Sequence, residues 1–121
     1  MNVLIIEDET AAAVNLKSIL RSVMPDCNVI DVLESIEESV DFFNDKSQPT
    51  PDLVFMDIHL ADGESFRIFD SVEIQAPIIF TTAYDEYALR AFKVNSIDYI
   101  LKPIKAEDLR HAIDKFTLLS G

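Results

Sequence analysis

The stretch LVFMDIHLADG, residues 53–63, opens with an apolar run, Leu53 to Met56, and meets a carboxylate at Asp57. A run without polar alternation marks a strand covered on both faces, as in a parallel sheet flanked by helices. A carboxylate at the end of such a strand is costly to bury unless something there needs it.

Outward from this stretch the chain alternates. Val3–Ile6 forms a first short strand, and Ala13, Leu16, Ile19, Leu20 and Val23 recur at helical spacing until Pro25. Val29–Val32 is a weaker second strand. Ser35-Ile36-Glu37-Glu38 has the form of a capping box, ahead of a helix carrying Val40, Phe42 and Phe43 that ends before Pro49. After strand three, Ala61-Asp62-Gly63 is a loop or turn, and Ser65–Val72 is expected as a short helix closed before Pro77. Ile78–Thr82 is strand four. Tyr87, Ala88, Ala91 and Phe92 mark a fourth helix, Ile97–Leu101 contains strand five, and Leu109, Ala112, Ile113 and Phe116 line a final helix.

Five strands alternating with five helices predict one α/β domain of three layers over residues 1–121, built on a doubly wound parallel sheet. The composition agrees, with 49% hydrophobic and 26% charged residues and no run near the roughly 18 apolar residues of a membrane span. A single cysteine, Cys27, rules out a disulfide within the chain and suits a reducing, cytoplasmic setting. The net charge is −12. Residues 1–80 hold 16 acids and 4 bases, while residues 81–121 hold 6 of each. Such a chain lacks the basic face that phosphate contacts to nucleic acid require.

In an open parallel sheet, ligands bind beyond the carboxyl ends of the strands. Glu7 and Asp8 end strand one, Asp57 ends strand three, Thr82 ends strand four and Lys102 ends strand five. Carboxylates gathered there repel unless a cation joins them. With no His/Cys set at zinc spacing, oxygen ligation favours Mg²⁺, with Mn²⁺ as the alternative. Lys102 and Thr82 are suited to holding phosphoryl oxygens, and a carboxylate can itself be the nucleophile. The site therefore points to Asp57 accepting a phosphoryl group.

Two other classes share parts of this pattern. Phosphatases of the haloacid-dehalogenase type need a second Asp two positions after the nucleophile, where this chain has His59. An FMN-binding flavodoxin-like module needs a phosphate-holding loop after strand one, where Glu7-Asp8-Glu9-Thr10 would repel the phosphate.

The segments LIIEDE, VFMDIHLADG, IIFTTAY and YILKP, in this order, resemble the response-regulator receiver domain of two-component signalling. FTTAYDEYALRAFKVNSIDYILKP is more narrowly similar to the LytR/AlgR (LytTR) type. The resemblance implies a flavodoxin-like sheet of order 2-1-3-4-5. It implies Asp57 as phosphoacceptor from a sensor histidine kinase, with self-phosphorylation and slow autodephosphorylation rather than enzymatic turnover. Asp8 and Asp57, with Glu7 and the main-chain carbonyl of His59, would hold the metal. Thr82 and Lys102 would bind the phosphoryl oxygens, Thr82 and Tyr99 would form the switch, and His59 and Tyr84 would tune the phosphoryl lifetime. Pro103 would follow a cis Lys-Pro bond. Glu7 replaces a usual Asp, and Ala61 a usual proline.

The same resemblance implies signalling through the surface of helix four, strand five and helix five. There Arg90, Lys93, Lys105, Arg110 and Lys115 mix with Asp98, Glu107, Asp108 and Asp114, a pattern suited to a homodimer contact. Full-length relatives of this type carry a DNA-binding transcriptional domain after the receiver, absent from these 121 residues. Between a lone receiver and a fragment of a longer regulator, the ending Phe116-Thr117-Leu118-Leu119-Ser120-Gly121, a helix without an obvious terminus, favours the fragment. The rival expectation is a receiver fold that signals by protein contact without phosphorylation.

Overall fold

The apolar runs become the centre of a parallel sheet. In a computed structural model that describes residues 1–84 and 96–120, β1 (Asn2–Ile6), β3 (Leu53–Asp57) and β6 (Ile78–Thr82) are buried almost throughout. The edge strands β2 (Asn28–Leu33) and β7 (Ser96–Leu101) are largely half-buried or exposed. The order is β2-β1-β3-β6-β7 with every pairing parallel. This is the expected 2-1-3-4-5 arrangement, because β6 and β7 are the fourth and fifth strands of the main sheet.

Alternation of side chains sends the two faces into separate cores. Val3, Ile5, Leu53, Phe55 and Ile79 pack with Leu16 and Leu20 of α1 (Thr10–Val23) and with Leu109, Ala112, Ile113 and Phe116 of α3 (Ala106–Ser120). Leu4, Ile6, Val54, Met56, Ile78 and Phe80 pack with Phe42 of α2 (Ile36–Asn44) and with Ile68. Each large side chain buried in this way contributes about 1.5–3 kcal/mol, so both faces are held and the strand ends are fixed in space.

Helix ends follow local chemistry. The Ser35 hydroxyl accepts from the Glu38 amide at 3.0 Å, as the capping box requires, while the Glu38 carboxylate reaches one residue further back, to the Glu34 amide. α1 ends just before Pro25, its last turn closed by the Met24 amide on the Leu20 carbonyl.

Two local expectations are corrected. The third helix is a 3-10 helix, Ser65–Asp70. Its fully buried residues, Ser65 and Ile68, stand three apart, matching three residues per turn rather than 3.6. The segment before it is a hairpin of β4 (His59–Leu60) and β5 (Gly63–Glu64) turning at Ala61-Asp62. The fourth expected helix, with Tyr87, Ala88, Ala91 and Phe92, lies outside the described residues. Among the described residues the fold thus has three α-helices and one 3-10 helix. The Lys102–Pro103 bond is cis.

Candidate functional site

Each site residue is set by a strand end. Glu7 stands one residue past β1, yet its amide still donates to the Leu33 carbonyl of β2 at 2.8 Å. Asp57 is the last residue of β3 and lies opposite Thr81 in the register. Lys102 stands one residue past β7, its amide on the Thr82 carbonyl at 2.7 Å. Ladder bonds therefore extend to the site, so the side chains start from a rigid main chain.

The Lys102 Nζ sits between two carboxylates, 2.5 Å from Glu7 Oε1 and 3.1 Å from Asp57 Oδ2. Both acids are buried, at 5% and 4% exposure. The remaining oxygens also have donors. Glu7 Oε2 accepts from the Glu9 amide at 3.2 Å, and Asp57 Oδ1 accepts a long bond from the His59 amide at 3.4 Å. Asp8 is half-buried beside them, and one carboxylate oxygen each from Glu7, Asp8, Glu9 and Asp57 falls within 4.8 Å of the others.

One ammonium cannot balance four carboxylates. Burial, and then the nearby Asp57 charge, raise the Glu7 pKa above 4.5 although the bond from Lys102 pulls the other way. Burial and the Glu7 charge likewise raise that of Asp8. For Lys102, burial opposes the charged form, but the bond to Glu7 and the Asp57 field outweigh it, so its pKa rises. Among the described residues the site is short of positive charge.

A hard divalent cation would supply it. The four oxygens lie within 4.8 Å of one another, near enough to share one ion, and the donor set is all oxygen. The residues fit such an ion. Glu9 joins the expected Glu7, Asp8 and Asp57; it was visible in sequence as part of the acidic triplet but carried no assignment. Instead of capping α1 with its side chain, Glu9 places its carboxylate with the cluster.

Thr82 is fully buried and linked to this group through the main chain. Its Oγ1 accepts from the Tyr84 amide at 3.2 Å. Tyr99, packed against the same core as Phe80, donates its hydroxyl to the Tyr84 carbonyl. The His59 and Tyr84 rings meet edge to face, 4.9 Å apart at 70°. Tyr84 thus touches Thr82, Tyr99 and His59 at once. Of the residues expected at a homodimer contact, Lys115 pairs with Asp98 at 3.4 Å, and Arg90 and Lys93 lie outside the described residues.

Comparison with known proteins places this geometry in context. Residues 3–114 match the family described as the response regulator receiver domain. The chain is 41% identical over 118 residues to the sensory transduction protein LytT of Enterococcus faecalis, covering 95% of the chain and 47% of that protein. It is 39% identical over 118 residues to the sensory transduction protein LytR of Staphylococcus haemolyticus, covering 95% and 44%. It therefore spans less than half the length of these relatives. Among solved structures, the response regulatory domain of protein mrkE from Klebsiella pneumoniae superposes with a TM-score of 0.83 at 24% identity, covering 98% of this chain and 97% of that one.

Proposed function

The chain belongs to the response-regulator receiver family, in its LytR/AlgR-type branch, and from that premise we propose that Asp57 is its phosphoacceptor, charged by a sensor histidine kinase. The observation that carries this reading is the Lys102 ammonium held between Glu7 and Asp57 at the carboxyl edge of the sheet. An Asp57 oxygen attacks phosphorus as the bond to the donor imidazole nitrogen breaks, and the electron pair leaves with the imidazole. Lys102 and Thr82 hold the transferred oxygens. Asp8, Asp57, Glu7 and the His59 carbonyl would hold Mg²⁺ or Mn²⁺, which when bound would supply positive charge for the phosphoryl oxygens. Attack by water later returns Asp57 and phosphate, at a rate set by how His59 and Tyr84 shield the site.

The switch follows from the Tyr84 contacts. A phosphoryl group on Asp57 draws the Thr82 hydroxyl away from the Tyr84 amide, and the Tyr99 ring moves with the vacated space. The output surface lies around β7 and α3, where a second copy would dock. The relatives are about twice as long as this chain, which leaves room in them for the DNA-binding, transcriptional part expected of the LytR/AlgR type, and the net charge of −12 argues against contact between this receiver and nucleic acid.

Intact mass after incubation with acetyl phosphate and Mg²⁺, beside Asp57→Asn, tests the reading. Gain of one phosphoryl group in the parent alone is expected. Equal gain in both would mean another residue is the acceptor, and no gain together with no Mg²⁺ binding would favour signalling without phosphorylation.

A further inference from the structure

The hairpin that follows Asp57 is anchored from outside itself. Asp62, at its tip, accepts from two main-chain amides of α2: Ile36 N to Oδ1 at 2.9 Å and Glu37 N to Oδ2 at 3.2 Å. With the Ser35 hydroxyl on the Glu38 amide at 3.0 Å, three successive amides of the α2 N-terminus are occupied. Two of these caps come from 25 or more residues away in sequence. A helix normally caps itself with the residue preceding it, and α2 has that cap in Ser35. The Asp62 bonds are therefore additional, and they join two parts of the chain.

The fit around the tip is close. Gly63 takes φ +137°, which a side chain rarely adopts, and a Cβ there would stand 3.0 Å from Arg67 Nη1 and 3.3 Å from Ile36 Cδ1. Ile36 is the residue whose amide Asp62 holds. At its other end the hairpin is closed by the Ser65 amide on the Ile58 carbonyl at 2.7 Å. Its first residue is His59, paired with Glu64 and donating its amide to Asp57 Oδ1. Anchored at tip and base, the two-residue strands hold the His59 main chain against the phosphoacceptor carboxylate.

We propose that Asp62 is a positioning residue for phosphoryl transfer: by clamping the hairpin to the N-terminus of α2 it fixes the His59 main chain beside Asp57. This deepens the proposed function and rests on Asp57 being the phosphoacceptor. Without the clamp, a two-residue pairing has too few bonds to hold its own register, so His59 samples positions away from Asp57 and productive geometry becomes rarer.

The test compares Asp62→Ala, Asp62→Asn and Ser35→Ala with the parent, each checked for folding by circular dichroism. The readouts are the initial rate of phosphoryl uptake from acetyl phosphate and amide hydrogen exchange over residues 58–64. Asp62→Ala is expected to slow uptake by roughly three- to tenfold and to speed hairpin exchange. Asp62→Asn, which keeps one of the two acceptor oxygens, should recover part of both. Ser35→Ala removes a cap from the same helix end without touching the hairpin, so uptake should stay at the parent rate. Unchanged uptake in Asp62→Ala, or equal slowing in Ser35→Ala, would overturn the proposal, because helix stability alone would then explain the bonds. If the parent neither takes up a phosphoryl group nor binds Mg²⁺, the reading of Asp57 fails separately. Hairpin exchange then still decides the clamp, and equal exchange in parent and Asp62→Ala overturns it.

Discussion

Two lysines meet carboxylates in this fold under opposite conditions. At the mouth of the sheet Lys102, 16% exposed, lies between the buried acids Glu7 and Asp57. On the outer face of β7 and α3, Lys115, 45% exposed, faces Asp98 at 3.4 Å. The outer pair balances charge for charge in water, where such contacts contribute little. Among the described residues the inner group is unbalanced, with one cation against several acids, and it has surrendered hydration that the ion pairs do not fully restore. A chain selected for stability alone would have little reason to build the inner arrangement. Surplus negative charge held on rigid strand ends makes sense where a divalent cation and a phosphoryl group are to be bound.

The largest way to break this contrast is Lys102→Met. It leaves Glu7 and Asp57 buried against each other without a cation, and should cost roughly 2–4 kcal/mol in metal-free urea unfolding at neutral pH. Added Mg²⁺ should recover more stability in this variant than in the parent. Between the two lysines in effect stands Asp62, an exposed carboxylate with two amide partners. Replacing it with Ala should cost about 1 kcal/mol at neutral pH. Its pKa lies below 3.8 in the fold because the Ile36 amide, foremost, stabilises the charged form. The folded protein thus binds that proton less readily than the unfolded chain does. The stabilisation is present above 3.8 and is lost as pH falls through the lowered value. The gap between parent and Asp62→Ala should narrow on acidification below 3.8, which unfolding curves at stepped pH would measure. Lys115→Ala should be the smallest change, within about 0.5 kcal/mol and vanishing in concentrated salt.

The strands were legible because their cues are local: unbroken apolar runs at β1, β3 and β6 end in polar residues, and alternation fixed which strand ends face one edge. Glu7, Asp8, Asp57 and Lys102 could be gathered on that basis. The pairing of Lys102 with both Glu7 and Asp57 was less visible, since it depends on which neighbouring acid turns inward, and burial decides that. The hairpin was missed for a similar reason. His59–Leu60 and Gly63–Glu64 are too short to carry a strand pattern, and they are held by a glycine conformation and by amides of α2 distant in sequence. Ser65–Asp70 carried apolar residues that suit either helix type, and only its packing selected the tighter one. Ser35, whose cap is local, was read correctly, whereas Asp62, whose cap is remote, could not be.

The central claim is that the inner carboxylates are held for chemistry at a cost in stability. Chemical unfolding of the parent and Asp57→Asn, side by side in metal-free buffer at neutral pH, tests it most directly. Removing the Asp57 charge leaves Glu7 and Lys102 paired one to one and relieves repulsion among the acids, so Asp57→Asn should be more stable by about 1 kcal/mol. A variant less stable than the parent would contradict the account and make Asp57 a structural partner of Lys102.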